Sequence, residues 1–342
     1  MANQEVSAPS APGVRQARQD RKPLSRRSSR AALVSFGLAL LAGLPASADL
    51  GVDTDAITFG QSACFTGPNS NLGLQYRSGI LAAFGVQNQR GGVNGKLIEL
   101  MALDDGYEPE RAAANTERFV SEDGVFAVIG GVGTPTARRI APVLRTADIP
   151  FIGHVTGADF LRDAQRFPNV VNLRAGYADE TRRLVKHVIE ELGKSRLGVI
   201  YQDDAFGRSV LRNYKAVLDE YNIPILAKAV FSRNTHVVHA GLFSLAKADL
   251  DAILIVGTYA TNAEIINTAN ALGHEYTMAH LSFVLSDELH KRVDEPSDRI
   301  LVTEVMPDAK ERTSQFVQSF QRDLQGAVRG GGGSGSAQRG GA

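Results

Sequence analysis

The sequence predicts an α/β protein with parallel sheets covered on both faces by helices, and three observations carry that prediction. Short apolar runs alternate with stretches of helical periodicity along most of the chain. One junction, Phe126–Thr136 (FAVIGGVGTPT), sets a buried strand, a glycine turn and a helix start in immediate succession. The length, 342 residues, is enough for two domains with two cores once a leader is set aside.

The leader comes first. Met1–Arg30 carries seven Lys or Arg against two acids, Ala31–Leu44 is apolar and uncharged, and Ala46-Ser47-Ala48 supplies a small-x-small cleavage site. This pattern reads as a signal peptide over residues 1–48, cut after Ala48. The apolar stretch is shorter than the roughly 20 residues that a membrane span needs. Asp49 rather than Cys follows the cut, so no lipid anchor is expected. Ser25-Arg26-Arg27 suggests a twin-arginine signal, but Ser28-Ser29 lacks the usual apolar residue, so ordinary secretion is the expectation.

The elements then follow in order. Ala56–Gln61 reads as a strand, and the loop Cys64–Leu72 leads into a helix over about 75–88. The Gly91–Gly95 cluster is a turn. Leu97–Leu103 is a strand, and 108–121 places Ala113, Thr116, Phe119 and Val120 on one helical face. In the Phe126–Thr136 segment Phe126–Ile129 is the strand, Thr134 the expected N-cap and Pro135 the first helical residue. Ile140, Val143, Leu144 and Ala147 mark the buried face of the helix that follows, and Phe151-Ile152 is a short strand. The second half repeats the rhythm. Val170–Leu173, Leu197–Tyr201, Ile225–Val230, Ala252–Val256, Leu281–Val284 and Ile300–Val305 read as strands. Helical faces run through Leu184–Leu192, Val210–Leu218 and Ile265–Leu272.

Charge and cysteine content narrow the function. The 37 basic and 37 acidic residues become 30 and 35 without the leader, a mildly acidic balance that argues against nucleic acid or an anionic membrane as partner. The single cysteine, Cys64, excludes an internal disulfide and reads as a small core residue at a strand end. Ligands of parallel α/β sheets bind beyond the carboxyl ends of the strands. The residues there are small, polar or aromatic: Phe65–Pro68, Thr134 and Thr136, His154–Gly157, Tyr177, Asp179 and Glu180, Asp203–Phe206, and Thr258-Tyr259. Such residues orient and desolvate a small molecule. No G-x-S-x-G elbow and no H-E-x-x-H occurs, so no catalytic residues, cofactor or metal are expected. His236 and His239 read as solvated, His154 as a satisfied loop histidine, and Asp104-Asp105 as helix-capping acids. The Gly130–Thr136 turn fits a carboxylate held by hydroxyls and helix-end amides; an ordinary capped helix after an ordinary strand fits it equally well.

In combination these motifs resemble one family. Thr66-Gly67-Pro68, Arg90–Gly95, Asp104–Pro109, Phe126–Thr136 and Tyr201–Gly207 are similar to segments of the type 1 periplasmic solute-binding proteins of the branched-chain amino acid (Leu-Ile-Val) ABC importers, a likeness running from about Ala56 to Phe320. The resemblance implies two Rossmann-like lobes joined by three crossings, with a ligand cleft between them: residues 54–173 form lobe 1, 174–297 lobe 2, and 298–326 an incomplete return to lobe 1. Residues 327–342 form a glycine-rich tail that reads as disordered, so the C-terminus looks truncated beside the family. It also implies a periplasmic monomer that hands a small carboxylate or amino acid to an inner-membrane ABC permease. A sensor of the same fold is the alternative, and a secreted α/β enzyme a weaker one.

Position by position, the resemblance puts Thr134 on the ligand carboxylate with Thr136 just beyond, and Thr156 and Gly157 beside carboxylate and ammonium. It makes Leu72 a wall of the first lobe, Phe206 an aromatic lid, and Thr258 and Tyr259 the following wall. Tyr177 stands where amino-acid binders carry an acid for the ammonium group, with Asp179 and Glu180 displaced along the chain. The implied ligand is therefore a small carboxylate with an apolar or aromatic body, its amino group optional, unless Asp179, Glu180 or Asp204 turns inward.

Overall fold

The computed structural model describes residues 50–330, so the expected leader at 1–48 and the stretch 331–342 of the expected tail lie outside the described residues. Two five-stranded sheets organise the chain. The first contains β1 (Ala56–Ala63), β2 (Leu97–Asp104), β3 (Ala127–Ile129), β4 (Phe151–Ile152) and β5 (Val170–Val171), in the order β2-β1-β3-β4-β5. The second contains β6 (Leu197–Gln202), β7 (Ile225–Phe231), β8 (Ala252–Val256), β9 (Thr277–His280) and β10 (Ile300–Val302), in the order β7-β6-β8-β9-β10. Every pairing between these strands is parallel. The second sheet therefore repeats the strand order of the first. In both, the chain reverses its direction of travel across the sheet next to the first strand, and the crevice there is where such sheets bind ligands.

Helices cover the sheets as the hydrophobic periodicity predicts: α1 (Ser70–Gln89), α2 (Pro109–Arg118) and α3 (Thr134–Thr146) in the first lobe, and α4 (Tyr177–Lys186), α5 (Ala205–Glu220) and α7 (Tyr259–Ala271) with the second; two short helices that the periodicity does not mark, α6 (His239–Leu245) and α8 (Ser286–His290), also lie with the second. A last helix, α9 (Gln315–Gly330), lies against α1. Its final turn overlaps the stretch from 327 that the composition assigns to the tail. Among the described residues the chain passes between the lobes twice, after β5 and after β10. Because β10 pairs with β9, Ile300–Val302 belongs to the second sheet and the return to the first lobe begins beyond it. No helix among the described residues is long and apolar enough to cross a membrane.

Two apolar clusters form the interior. One, around Phe119, Val128, Ile140, Leu144 and Phe151, packs α2 and α3 on the first sheet. The larger fills the second lobe and continues across the crevice through Tyr177, Tyr107, Val132 and Leu72, so the lobes meet through side-chain contact. Cys64 is buried in this cluster, its Sγ donating to the Asn69 carbonyl at 3.2 Å, and burial raises its thiol to about 12. It is the core residue the sequence predicts.

One strand differs from expectation. The fourth strand of the second sheet is Thr277–His280, not Leu281–Val284, which forms a short turn of 3-10 helix instead. All four residues of β9 are buried, as in a sheet covered on both faces. Leu281, Phe283 and Val284 are equally buried, with the Phe283 ring beside Tyr107 of the first lobe, and periodicity cannot distinguish burial in a sheet from burial in a turn.

The fourth strands of the two sheets lead into matching buried imidazoles, His154 two residues past β4 and His280 at the end of β9. Burial lowers His154 to about 4, against a smaller opposing effect of its bond to Gly133, and lowers His280 to about 3. The unfolded chain takes up these protons near pH 6.5, whereas the folded chain does so near 4 at His154 and near 3 at His280. Stability is therefore lost as the pH falls from 6.5, by at most about 1.4 kcal/mol per pH unit for each imidazole. Buried Asp105, raised to about 6 chiefly by desolvation, acts in the opposite sense by favouring the folded state on acidification. The expected result is that His280→Gln flattens the decline between pH 6.5 and 4 relative to wild type, measured by urea unfolding at stepped pH; an unchanged slope would contradict the buried neutral imidazole.

Candidate functional site

The site is assembled where the carboxyl ends of both sheets face each other. In the first lobe the segments leaving β3 and β4 continue to pair beyond the strands. The Val155 N–H donates to the Gly131 carbonyl at 2.8 Å, and the Gly133 N–H to the Val155 carbonyl at 3.0 Å. This pairing brings Thr134 and Thr156 together, and their hydroxyls share a hydrogen bond of 2.7 Å with neither side chain exposed. Thr134 is the first helical residue of α3 rather than its cap. Gly133, at φ +99°, takes the cap position, which leaves the Thr134 hydroxyl free to face Thr156. The Thr156 hydroxyl also accepts from the Ala158 N–H at 3.2 Å.

Thr136 is not part of this pair. Its hydroxyl donates back to the carbonyls of Val132 and Gly133, inside the first turn of its own helix. His154 supports the same turn: its Nε2 donates to the Gly133 carbonyl at 2.7 Å. His154 is thus a neutral histidine that braces the turn through Nε2, but its Nδ1 is buried without a partner, so the expected satisfied loop histidine is satisfied at one nitrogen only. His236 and His239 are exposed.

Facing the hydroxyl pair is a row of aromatic rings. Tyr177 begins α4, its backbone N–H donating to the Gly157 carbonyl at 2.7 Å. Any side chain at position 157 would run into that ring, so the glycine permits the approach. Ring centroids then follow at 5.4 Å from Tyr177 to Phe206, 4.7 Å from Phe206 to Phe283, and 6.4 Å from Phe283 to Tyr107. All four rings are fully buried, and the Tyr177 hydroxyl lies beside that of Thr156 without making a well-formed hydrogen bond. Buried tyrosine hydroxyls usually find one. Leu72 and Tyr259 close the other flank. The Tyr259 hydroxyl accepts from the Asn71 N–H of the first lobe at 3.2 Å, and the Arg292 guanidinium lies over its ring. Thr258 is buried as the N-cap of α7, with its side chain not bonded to that helix.

The three acids able to reach inward are otherwise engaged. Asp179 is exposed. Asp204 caps α5, accepting from the Phe206 N–H at 2.8 Å and from Gln202 Nε2 at 2.5 Å, and it pairs with Arg233 at 3.2 Å. Glu180 is buried against Arg174 at 2.7 Å and accepts from the Ser282 N–H and the Thr303 hydroxyl at 2.6 and 2.5 Å. The structure thus brings Thr134, Thr156, Gly157, Tyr177 and Phe206 together with no uncommitted carboxylate among them. The sequence reading missed Tyr107 and Phe283. Phe283 is hidden by its strand-like neighbours. Tyr107 carries no periodic signal at all, because its ring enters the crevice from a left-handed backbone at φ +63°.

Comparison with known proteins follows the same lines. The family description "Periplasmic binding protein" matches residues 56–330. A Leu/Ile/Val-binding protein homolog 7 from Brucella suis biovar 1 is 26% identical over 246 residues, covering 69% of this chain and 59% of the relative. This chain therefore spans about three-fifths of the length of that curated relative. A possible leucine/isoleucine/valine-binding protein from Rhodopirellula baltica SH 1 superimposes with a TM-score of 0.76 at 31% identity, over 81% of this chain and 76% of that one. A solute-binding protein of R. palustris in complex with 4-hydroxybenzoate gives 0.67 at 16% identity, over 82% and 74%, a likeness of fold alone.

The turn at Gly133 provides a test of the site's geometry. A methyl group there would overlap the Tyr107 ring while also holding an unfavourable positive φ. Gly133→Ala should lower unfolding stability by about 2–4 kcal/mol, combining backbone strain and overpacking. In a Tyr107→Ala background the same change should be markedly milder, since neighbours that clash are not additive. Denaturant titrations of the four proteins measure this, and equal losses in both backgrounds would dissociate Tyr107 from the turn.

Proposed function

This chain belongs to the periplasmic binding protein family, and from that premise we propose that it is the extracytoplasmic substrate-binding component of an ABC importer, specific for a small carboxylate with an apolar or aromatic body. The observation that carries the proposal is the buried Thr134–Thr156 hydroxyl pair at the start of α3, opposite a row of aromatic rings.

A carboxylate entering between the lobes replaces the mutual hydroxyl bond with two charge-assisted ones, each threonine donating to one oxygen. The amides at the start of α3 add the partial positive charge of a helix end. The Tyr177 hydroxyl, without a well-formed hydrogen bond of its own, supplies a further donor. The body of the ligand lies along Tyr177, Phe206, Phe283 and Tyr107, where the apolar surface excludes water. An ammonium group finds no such compensation, because Glu180 and Asp204 are already paired and a buried cation without a partner is costly. These committed acids separate the chain's expected ligand from that named for its Leu/Ile/Val-binding relatives. Binding is reversible, and the molecule leaves chemically unaltered to a membrane permease in the periplasm.

Titration calorimetry of folded Thr134→Val should show binding weakened by about 1.5–3 kcal/mol, the range of a charged hydrogen bond together with the partner left unpaired. Unchanged affinity would remove Thr134 from the site. Measured on one preparation, leucine should bind no more than tenfold tighter than its keto acid or phenylacetate, a span of about 1.4 kcal/mol. A larger preference for leucine means that the amine is read. Mass spectrometry after prolonged incubation should recover the carboxylate intact, and any product would point to an enzyme instead.

A further inference from the structure

The lobes are held to each other at the mouth of the crevice by one compact set of polar contacts. From the first lobe comes the loop between β2 and α2, which carries Gly106, Tyr107 and Glu108. From the second comes the loop after β7, which carries Arg233 and Asn234. Arg233 Nη2 pairs with one oxygen of the Glu108 carboxylate at 2.6 Å, and Asn234 Nδ2 donates to the other at 2.7 Å. Asn234 Nδ2 also donates to the Gly106 carbonyl at 3.1 Å, and its Oδ1 accepts from Asn69 Nδ2 at 2.8 Å. The Arg233 guanidinium lies 5.9 Å from the centroid of the Tyr107 ring.

The distribution of partners is asymmetric. Both oxygens of Glu108 are bonded only by the second lobe, so separating the lobes strips the carboxylate of every side-chain partner it has. Arg233 keeps one partner in its own lobe, Asp204, whose carboxylate also caps α5. The guanidinium is thereby held in place ready to meet Glu108. A second carboxylate contact across the crevice behaves differently. Glu288 accepts from Asn71 of α1 at 2.6 Å, but it is also paired with Lys291 and Arg292 beside it on the chain, so it remains neutralised when the lobes part. The Glu108 set is therefore the one whose electrostatic energy depends on closure. The Arg233 side chain is 20% exposed and that of Glu108 43%, so salt screens the pair in part.

We propose that Arg233 is a positioning residue for closure: anchored by Asp204, it captures Glu108, covers the Tyr107 ring, and sets both the closed fraction of the protein and the rate at which a bound carboxylate escapes. The proposal rests on the binding-protein reading for its second half only, since the closed fraction can be measured with nothing added.

The experiment compares wild type, Arg233→Met, Arg233→Lys, Glu108→Gln and the double variant Arg233→Met with Glu108→Gln. Arg182→Met serves as control, because it breaks an exposed ion pair with Glu220 wholly inside the second lobe. Solution X-ray scattering without added ligand, at 50 and 500 mM NaCl, reads the closed fraction. Wild type and the control should be compact at low salt and expand at high salt. Arg233→Met and Glu108→Gln should be expanded at both, the double variant no more so than either single one, and Arg233→Lys intermediate. In stopped-flow release of phenylacetate, Arg233→Met and Glu108→Gln should dissociate at least tenfold faster, with association changed less than threefold. Should Arg233→Met fail to fold, Glu108→Gln alone decides. Wild type and folded variants that scatter identically at both salts overturn the proposal. Altered scattering without phenylacetate binding retains it and counts against the ligand class instead.

Discussion

The arrangement of the two lobes depends on one buried carboxylate. Glu180, in the first turn of α4, receives the Arg174 guanidinium from the crossing after β5 and the Thr303 hydroxyl from the crossing after β10. It also accepts the Ser282 N–H, at the root of the turn that carries Phe283. Arg174 in turn donates to the Ser282 hydroxyl at 2.8 Å. Two interlobe strands and one wall of the crevice thus converge on a single side chain that is only 1% exposed. Breaking such a pair leaves a charge stranded in the interior, so removing either partner costs about 3–5 kcal/mol. The same engagement keeps Glu180 from serving as a counter-ion for a ligand. The joint and the proposed selectivity of the crevice therefore have one cause.

The proposed selectivity follows from what the buried groups have available. The Thr134 and Thr156 hydroxyls satisfy each other, which keeps two polar groups from standing unpaired in an apolar setting and still leaves both able to turn toward a carboxylate. The aromatic row supplies desolvation without demanding a fixed shape. Neither element supplies a carboxylate to neutralise a buried ammonium group. The Glu108 contacts across the mouth involve neither Thr134 nor Thr156.

Much of this fold is legible in the sequence because parallel strands buried on both faces are continuous apolar runs, and the helices between them show a clear period. Ala56, Leu97, Leu197 and Ala252 each begin strands where the apolar runs begin. The Phe126–Thr136 junction stands out because a strand end, a glycine at positive φ and a helix start each restrict residue type. The site is legible to the extent that it uses that junction: Thr134, Thr156, Gly157, Tyr177 and Phe206 lie together, while Thr136 does not. Whether a threonine next to a helix start bonds its own turn or the space beyond is decided by which residue takes the cap. A shift of one position, from Thr134 to Gly133, redirects the hydroxyl.

The sequence by itself determined the α/β class, the repeated strand–helix rhythm, the burial of Cys64 and the set of loops from which a site could be built. These follow from local periodicity and backbone preference, which act over a few residues. Only the tertiary structure decided that Tyr107 and Phe283 line the crevice, that Glu180 and Asp204 are spent on the joint and on a helix cap, and that Glu108 finds its partners across the mouth. Those outcomes bring together residues far apart in the chain, 125 positions in the case of Glu108 and Arg233. Their energies arise from burial and charge pairing that exist only when the two lobes meet, and no local pattern of residues encodes that encounter.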